Sequence, residues 1–171
     1  GIFQCIPVTV LTGFLGSGKT TLLNHLIQQP DFSRTLVLIN EFGEIGIDHD
    51  LVQHSTDEIV IEMSSGCLCC TIRGELAETL LEAPGRFSEN EEPGFNRVIV
   101  ETTGLADPAP ILHTLMSAGS VAERYYLDGV VTTVDAVNGP GTLNRQIESV
   151  KQVAVADRLV ITKSDFIPDD A

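Results

Sequence analysis

Basic residues are scarce in this chain of 171 residues. Lysine and arginine together number 10, against 24 aspartates and glutamates, so the formal net charge is −14. A surface of that sign repels nucleic acid and anionic membranes, and no cluster of basic residues offsets it. We therefore expect no nucleic acid and no membrane among the partners. An anionic ligand has to be held by backbone amides, a single lysine or a metal ion.

Long apolar runs and widely spaced cysteines are also lacking. No apolar stretch approaches the roughly 20 residues that cross a membrane, and residues 1–10 lack the charged-then-apolar layout of a secretion signal. Three of the four cysteines lie within residues 67–70, and neighbouring cysteines cannot join distant segments by disulfides. We therefore expect a reducing, cytoplasmic compartment.

Short apolar segments rich in β-branched residues alternate with segments whose apolar residues recur at helical spacing. Strands are predicted at 6–12, 35–40, 59–63, 97–101, 128–135 and 158–162. Helices are predicted from 19 to Pro30, from Ile72 to a stop at 83–85, after Pro108 and Pro110, and over 143–153, with a polar surface loop at 86–96. This alternation predicts an α/β fold with a mostly parallel sheet and helices on both faces. Ligands of such folds bind beyond the carboxyl ends of the strands.

The stretch GFLGSGKT, Gly13 to Thr20, fits the pattern G-x-x-x-x-G-K-[ST] between a predicted strand and a predicted helix. Its glycines let the backbone wrap an anion and aim N–H groups at it. We expect Lys19 to reach the β- and γ-phosphates and the Thr20 hydroxyl to hold Mg²⁺. The stretch therefore predicts a P-loop NTPase with nucleotide contacts at Gly13, Gly16, Ser17, Gly18, Lys19, Thr20 and Thr21.

The tetrapeptide Thr162-Lys163-Ser164-Asp165 follows the last predicted strand, where G proteins carry N-K-x-D. Asp165 can accept hydrogen bonds from both the ring N–H and the exocyclic amino group of guanine, which adenine does not offer. The aliphatic stem of Lys163 can lie along the base, and Thr162 stands in place of the usual asparagine. The motif favours GTP over ATP.

The segment Glu101-Thr-Thr-Gly104 ends another predicted strand. An acid at this position can orient a water on Mg²⁺, and Gly104 lets the backbone swing toward a γ-phosphate. We therefore predict Lys19, Glu101 and Gly104 as catalytic residues. No glutamine or arginine stands in an evident water-positioning place, so we expect slow intrinsic hydrolysis that a partner accelerates.

Residues 40–48 follow the second predicted strand, at the position of a first switch. Their acids Glu41, Glu44 and Asp48 have side chains able to face a metal. Solvent exposure of each acid is an equally open alternative.

The stretch GCLCC places Cys67 and Cys69 two residues apart, on the same side of an expected extended loop, with Cys70 as a third thiolate. Three thiolates suit Zn²⁺, Cu(I) or Co²⁺. A closed structural zinc site has four protein ligands, so the missing one is expected from Glu41, Glu44, His113 or a client protein. A redox pair and a buried structural cluster are the alternatives.

Five segments in this order, GFLGSGKTTLLNHL, NEFGEIGID, GCLCC, ETTGLADPAPI and AD–TKSD, resemble the CobW-type GTPases, relatives of UreG and HypB. The resemblance covers nearly the whole chain. It implies a GTP-hydrolysing protein that binds a transition metal, usually zinc or cobalt, and hands it to a client metalloprotein. It also implies that threonine is tolerated at position 162. Residues 1–171 are then expected to be a fragment of the GTPase domain, without the final strand and the C-terminal domain of that family.

Our hypothesis is that the γ-phosphate draws residues 40–48 and 101–107 inward and brings Glu44 toward the cysteines, so that hydrolysis releases the metal. The alternative is a nucleotide switch whose cysteines sense oxidants and hold no metal. A P-loop kinase is a third possibility, which TKSD disfavours. A homodimer that depends on metal or nucleotide stays open.

Overall fold

A computed structural model describes residues 5–40, 60–62, 67–72, 75–117 and 119–167, with the backbone alone at 60–62 and 71. Nine strands are described: β1 Ile6–Gly13, β2 Thr35–Asn40, β3 Val60–Glu62, β4 Leu68–Ile72, β5 Ser88–Glu89, β6 Glu92–Pro93, β7 Arg97–Thr102, β8 Tyr125–Asp135 and β9 Arg158–Thr162. The α-helices in these ranges are α1 Lys19–Ile27, α2 Leu76–Arg86, α3 Ala109–Met116, α4 Gly139–Arg145 and α5 Ile147–Ala154. Short 3₁₀ turns cover Pro30–Phe32 and Ser164–Phe166.

Seven strands form one sheet in the order β3-β4-β2-β7-β1-β8-β9. All neighbours pair in parallel except β3, which runs antiparallel to β4 at one edge. The central strand β1 lies between β7 and β8, while the next strand in the chain, β2, lies beyond β7. This change of direction next to β1 opens a crevice at the carboxyl ends of the strands, where ligands of such sheets bind.

Two apolar clusters cover the two sides of the sheet, which confirms the predicted fold class. On the first side, buried residues of α2 and α3, such as Leu80 and Ile111, pack on Val98 and Val100 of β7. On the second side, Leu23 and Ile27 of α1 pack on Val37 and Ile99. We call these sides the α2/α3 face and the α1 face. Strand residues alternate between the two faces because successive side chains of a strand point in opposite directions.

We call residues 67–72 the cysteine segment. Most of it forms β4, which begins directly after Cys67, so the extended loop predicted there is wrong. Ile72, which was predicted to begin a helix, ends β4 and is fully buried. Its spacing from Leu76 and Leu80 fits a helix, but its spacing from Leu68 and Cys70 fits a strand equally well. Pairing of β4 with β2 and β3 gives hydrogen-bond partners to its backbone N–H and C=O groups, and this favours the strand over the helix.

Helix α2 continues to Arg86, past its predicted stop, so that Pro84 lies inside the helix. A proline removes the N–H that would bond the carbonyl four residues earlier. That carbonyl, on Leu80, instead accepts a 2.7 Å hydrogen bond from the buried Tyr125 hydroxyl. Tyr125 thus compensates for the proline from another element.

Two further predictions needed correction. The single helix expected over 143–153 is two helices, because Gln146 has an extended backbone (φ −122°, ψ 111°) between α4 and α5. The expected loop at 86–96 contains a small hairpin in which β5 pairs with β6. Neither change moves the carboxyl ends of the sheet strands.

Candidate functional site

The glycine-rich stretch connects β1 to α1 at the centre of the sheet, in the strand–loop–helix context that the sequence predicts. Gly13, Gly16 and Gly18 all have positive φ angles. A Cβ at Gly13 would overlap the Thr133 hydroxyl and lie 2.7 Å from both Ser17 Oγ and Thr133 O. Glycine is therefore required where β1 enters the loop.

Lys19 begins α1 and is only 8% exposed. Its Nζ donates to Gly13 O at 2.7 Å and to Phe14 O at 3.2 Å, so the side chain lies along the loop. Burial lowers the pKa of this ammonium, and the Glu101 carboxylate opposes the shift. The loop therefore holds a mostly enclosed cation in a strongly acidic chain.

Glu101 in β7 faces the start of α1. It is 8% exposed, and Thr20 Oγ1 donates to its Oε1 over 3.4 Å. Burial raises the pKa of this carboxyl, while Lys19 and the Thr20 hydroxyl act in the opposite direction. A hydroxyl beside a carboxylate is a donor set that suits Mg²⁺. Thr20 and Thr21 are both exposed at this end of the helix.

Gly104 lies against the glycine-rich loop. A Cβ there would come within 2.6 Å of Leu15 N and 2.8 Å of Leu15 Cα. No other residue fits without moving one of the two loops. The segment after β7 therefore touches the segment after β1.

The TKSD segment is bonded to the same loop. Thr162 Oγ1 donates to Ser17 O at 2.7 Å, and Lys163 Nζ donates to Gly16 O at 2.9 Å. Lys163 has a left-handed backbone (φ 57°), which turns the chain into the 3₁₀ turn that carries Asp165. Asp165 is exposed there. Thr162 thus has a role of its own, since its hydroxyl binds the glycine-rich loop of residues 13–20, which we call the phosphate loop.

Sequence reasoning missed Asp135, at the end of β8. Its carboxylate accepts hydrogen bonds from Lys163 Nζ at 2.7 Å, Val137 N at 2.8 Å, Asn138 N at 3.0 Å and Asn138 Nδ2 at 3.1 Å. The Lys163 ammonium, together with these donors, holds the pKa of Asp135 well below its usual range. A carboxylate at the carboxyl end of a central parallel strand was the available signal.

The three clustered cysteines do not lie on one side of the sheet. Cys67 and Cys69 belong to the α1 face, whereas Cys70 is buried on the α2/α3 face. Cys67 is fully buried, and its Sγ donates to Phe32 O at 2.8 Å and Ile27 O at 3.5 Å. Within the described residues, no group of three histidine, cysteine or acidic side chains is placed to hold a metal ion.

Cys69 is half-buried beside Cys67. Burial raises the pKa of its thiol to about 11, with smaller contributions from Cys70, Glu101 and Cys67. A redox-sensing thiol needs a depressed pKa, so this environment does not favour the oxidant-sensing alternative at Cys69.

Of the other proposed metal ligands, His113 is the one that the described ranges include. His113 lies exposed on α3, where its Nδ1 is 3.2 Å from Ser117 Oγ. Glu41, Glu44 and Asp48, and with them most of the predicted first switch, lie outside the described residues. Of the helices in the described ranges, none is long and apolar enough to cross a membrane.

Comparison with known proteins agrees with this architecture. The family model described as CobW/HypB/UreG, nucleotide-binding domain, matches residues 7–171. The zinc chaperone YjiA of Escherichia coli is 40% identical over 163 residues, which cover 94% of this chain and 50% of that protein. The zinc-regulated GTPase metalloprotein activator 1 of Schizosaccharomyces pombe is 33% identical over 175 residues, 97% of this chain and 41% of that protein.

A solved structure is similar as well. The crystal structure of the Zn(II)-bound YjiA GTPase from E. coli matches with a TM-score of 0.76 at 36% sequence identity. The match covers 97% of this chain and 52% of that one. The chain thus spans about half the length of the relatives that it resembles.

Proposed function

The chain belongs to the CobW/HypB/UreG family of nucleotide-binding domains, and from this premise we propose that it hydrolyses GTP and couples hydrolysis to the binding and delivery of zinc. Zinc is the cargo here, with cobalt as the alternative, and a client metalloprotein is its recipient. A reducing, cytoplasmic compartment suits this role because three of the four cysteines lie within residues 67–70, where they cannot join distant segments by disulfides.

One observation carries the proposal: helix α1 links the phosphate loop to the cysteine segment. Its first residues are Lys19 and Thr20, and the carbonyl of its last residue, Ile27, accepts a hydrogen bond from Cys67. A helix moves as a rigid element, so a shift at one end reaches the other. Phosphate binding at Lys19 is therefore physically connected to the position of a cysteine.

The phosphates of GTP would be held by the backbone amides of residues 13–18 and by Lys19, with Ser17 and Thr21 in the same turn. Thr20 and Glu101 would hold Mg²⁺, which when bound neutralises charge on the β- and γ-phosphates. Lys19 would bring its ammonium to the β- and γ-phosphates, and Glu101 would orient the attacking water. Gly104 lets the following loop approach the γ-phosphate. The products are GDP and inorganic phosphate.

The proposed zinc ligands are Cys67, Cys69 and Cys70, with Glu44 as a possible fourth. Because Cys70 lies on the opposite face from the other two, three thiolates reach one ion only if β4 changes its pairing. Each ligating thiol also has to lose its proton. Zinc loading is thus coupled to movement of β4, and β4 pairs with β2, which leads into the predicted first switch.

The coupling is tested by competing a fluorescent zinc chelator against protein loaded with GDP or a non-hydrolysable GTP analogue. We expect the analogue to tighten zinc binding at least about tenfold, which is a coupling free energy of about 1.4 kcal/mol. Cys67→Ser, Cys69→Ser and Cys70→Ser should abolish that difference. Cys5→Ser is the matched control, since Cys5 is exposed and lies outside the cluster. Equal zinc affinity in both nucleotide states would contradict the coupling.

Guanine selection by Asp165 has a separate test. Asp165→Asn replaces an acceptor by an amide, which repels the guanine amino group but can donate to the additional carbonyl of xanthine. We expect the variant to lose GDP affinity and to gain affinity for xanthosine diphosphate, as measured by nucleotide displacement. Asp128→Asn, an exposed acid at the far end of β8, should behave as the unsubstituted protein. Loss of both affinities together would count against direct base recognition.

A further inference from the structure

The loop after β7, residues 103–107, is held from two sides. On one side Gly104 packs against Leu15 of the phosphate loop. On the other, Gln152 of α5 donates through Nε2 to Gly104 O at 3.2 Å and to Ala106 O at 3.1 Å. One side-chain amide therefore binds two carbonyls of the loop that faces the γ-phosphate.

Gln152 is itself rigidly placed. It is 1% exposed, and its main-chain carbonyl accepts a 2.8 Å hydrogen bond from Thr132 Oγ1 of β8. The main chain of Gln152 is thus hydrogen-bonded to β8, a strand that pairs directly with β1. The side chain of Gln152 thereby links the 103–107 loop to the sheet.

The other end of the same amide has no protein partner. Gln152 Oε1 is buried without a hydrogen bond among the described residues, and Gln152 lines a cavity of about 200 Å³ between the phosphate loop and α5. An unpaired buried acceptor is unfavourable. An apolar side chain of the same size would avoid this unpaired acceptor. It could not, however, make the two hydrogen bonds that Gln152 Nε2 donates to the loop.

We infer that Gln152 is the positioning residue for the 103–107 loop, holding Gly104 at the distance from the phosphate loop at which a γ-phosphate engages it. This inference rests on the proposed function, because it concerns the step that distinguishes GTP from GDP. Gln152 acts through the carbonyls of Gly104 and Ala106.

The adjacent residue offers a matched control. Lys151 binds the same loop through a 2.7 Å ion pair with Asp107, but both side chains are substantially exposed (50% and 38%). Exposed ion pairs contribute little to position or stability. Lys151→Met and Gln152→Met introduce the same side chain at neighbouring positions; the first removes one ion pair with the loop and the second removes two hydrogen bonds to it.

The reporter is a tryptophan at the exposed Leu105, since the chain contains no other tryptophan. In the Leu105→Trp protein we expect different emission with GDP and with a non-hydrolysable GTP analogue. Adding Gln152→Met should reduce that difference several-fold and lower kcat about tenfold, corresponding to about 1.4 kcal/mol. Affinity for a fluorescent GDP derivative should stay within about twofold. Lys151→Met should preserve both the emission difference and kcat within the same margin.

Three results would overturn the inference. The first is equal behaviour of the Gln152 and Lys151 variants, and the second is a loss of GDP affinity in Gln152→Met as large as the loss for the analogue. The third is the absence of any emission difference with Gln152 intact. A Gln152-dependent emission difference in a protein that neither hydrolyses GTP nor couples to zinc would support the inference and refute the proposed function.

Discussion

At the scale of single residues, the site depends on a few positions that tolerate no substitution. Gly13 is the clearest, since its φ of 146° and its contacts with Ser17 and Thr133 both exclude a side chain. Gly104 is excluded by space alone, through Leu15. Both glycines lie where two chain segments pass within contact distance next to the phosphate site.

Gly13→Ala is expected to destabilise the protein by about 1–3 kcal/mol, because alanine at this φ is strained and its Cβ overlaps the Thr133 hydroxyl. Urea unfolding of the nucleotide-free protein measures this. Gly85→Ala is the control: Gly85 is exposed in α2, with no atom within 4 Å of the added Cβ, so this variant should be neutral or slightly stabilising. Equal losses in the two variants would show that the overlap at Gly13 is relieved.

Asp135→Asn is expected to cost about 1–3 kcal/mol at pH 7, because the new amide points a donor at Lys163 Nζ and at the amide of Asn138. The pKa of Asp135 is held below its usual range in the folded protein. Its stabilisation is therefore complete above the unfolded value of about 3.9 and is lost as the pH falls toward the folded value.

The difference in urea midpoint between the unsubstituted protein and Asp135→Asn should accordingly shrink below about pH 4. Asp128→Asn on the same strand is the control and should show little difference at either pH. A gap that stays constant down to about pH 3 would mean that the carboxylate charge is not what Lys163 recognises.

At the scale of secondary-structure elements, β4 is the unusual part. Its two cysteines point to opposite faces, so Cys70 contributes to one apolar cluster and Cys69 packs against the other, which also contains Cys67 just before the strand. A strand that packs two thiols between its apolar residues is stabilised by them in this arrangement, and the same thiols could serve as metal ligands in another. This dual composition explains why the pattern GCLCC is ambiguous when it is considered alone.

In metal-free protein, Cys70→Ala and Cys67→Ala are each expected to lower the free energy of unfolding by about 1–2 kcal/mol, because each removes a fully buried sulfur. Cys69→Ala should cost less, since Cys69 is half-buried. Urea unfolding in the presence of a chelator and a reductant compares the three. A largest loss at Cys69 would contradict the strand pairing described here.

Sequence reasoning worked best where a local rule determines the structure. The glycine-rich stretch, the strand before it and the helix after it are specified by neighbouring residues, so their arrangement was predictable. Asp135 and Gln152 were not predicted, because their partners lie 28 and 46–48 residues away. The start predicted for α2 at Ile72 was wrong for a related reason, since the pairing of β4 with β2 and β3 is what excludes it.

At the scale of the whole molecule, repulsion among the acidic side chains destabilises the folded state. The net charge of −14 adds repulsion that the folded state must overcome, and dissolved salt screens it over roughly 10 Å at 0.1 M. Because the chain has 24 acidic and 10 basic residues, the effect is general rather than local.

Raising NaCl from about 20 mM to about 500 mM is therefore expected to raise the Tm of the nucleotide-free protein by a few degrees. Differential scanning fluorimetry measures the shift, and KCl at the same ionic strength should give the same result. A Tm that falls with salt, or that responds to only one of the two cations, would indicate specific ion contacts in place of general repulsion.

Lys163 binds both Asp135 and Gly16 O, and this has a consequence for how a nucleotide is held. The loop that carries Asp165 and the loop that wraps the phosphates are fastened together before any ligand arrives. A ligand that reaches both loops then behaves as a chelate, since its second contact forms at a high effective concentration. Guanosine and pyrophosphate, added as separate molecules, should bind far more weakly together than GDP does alone.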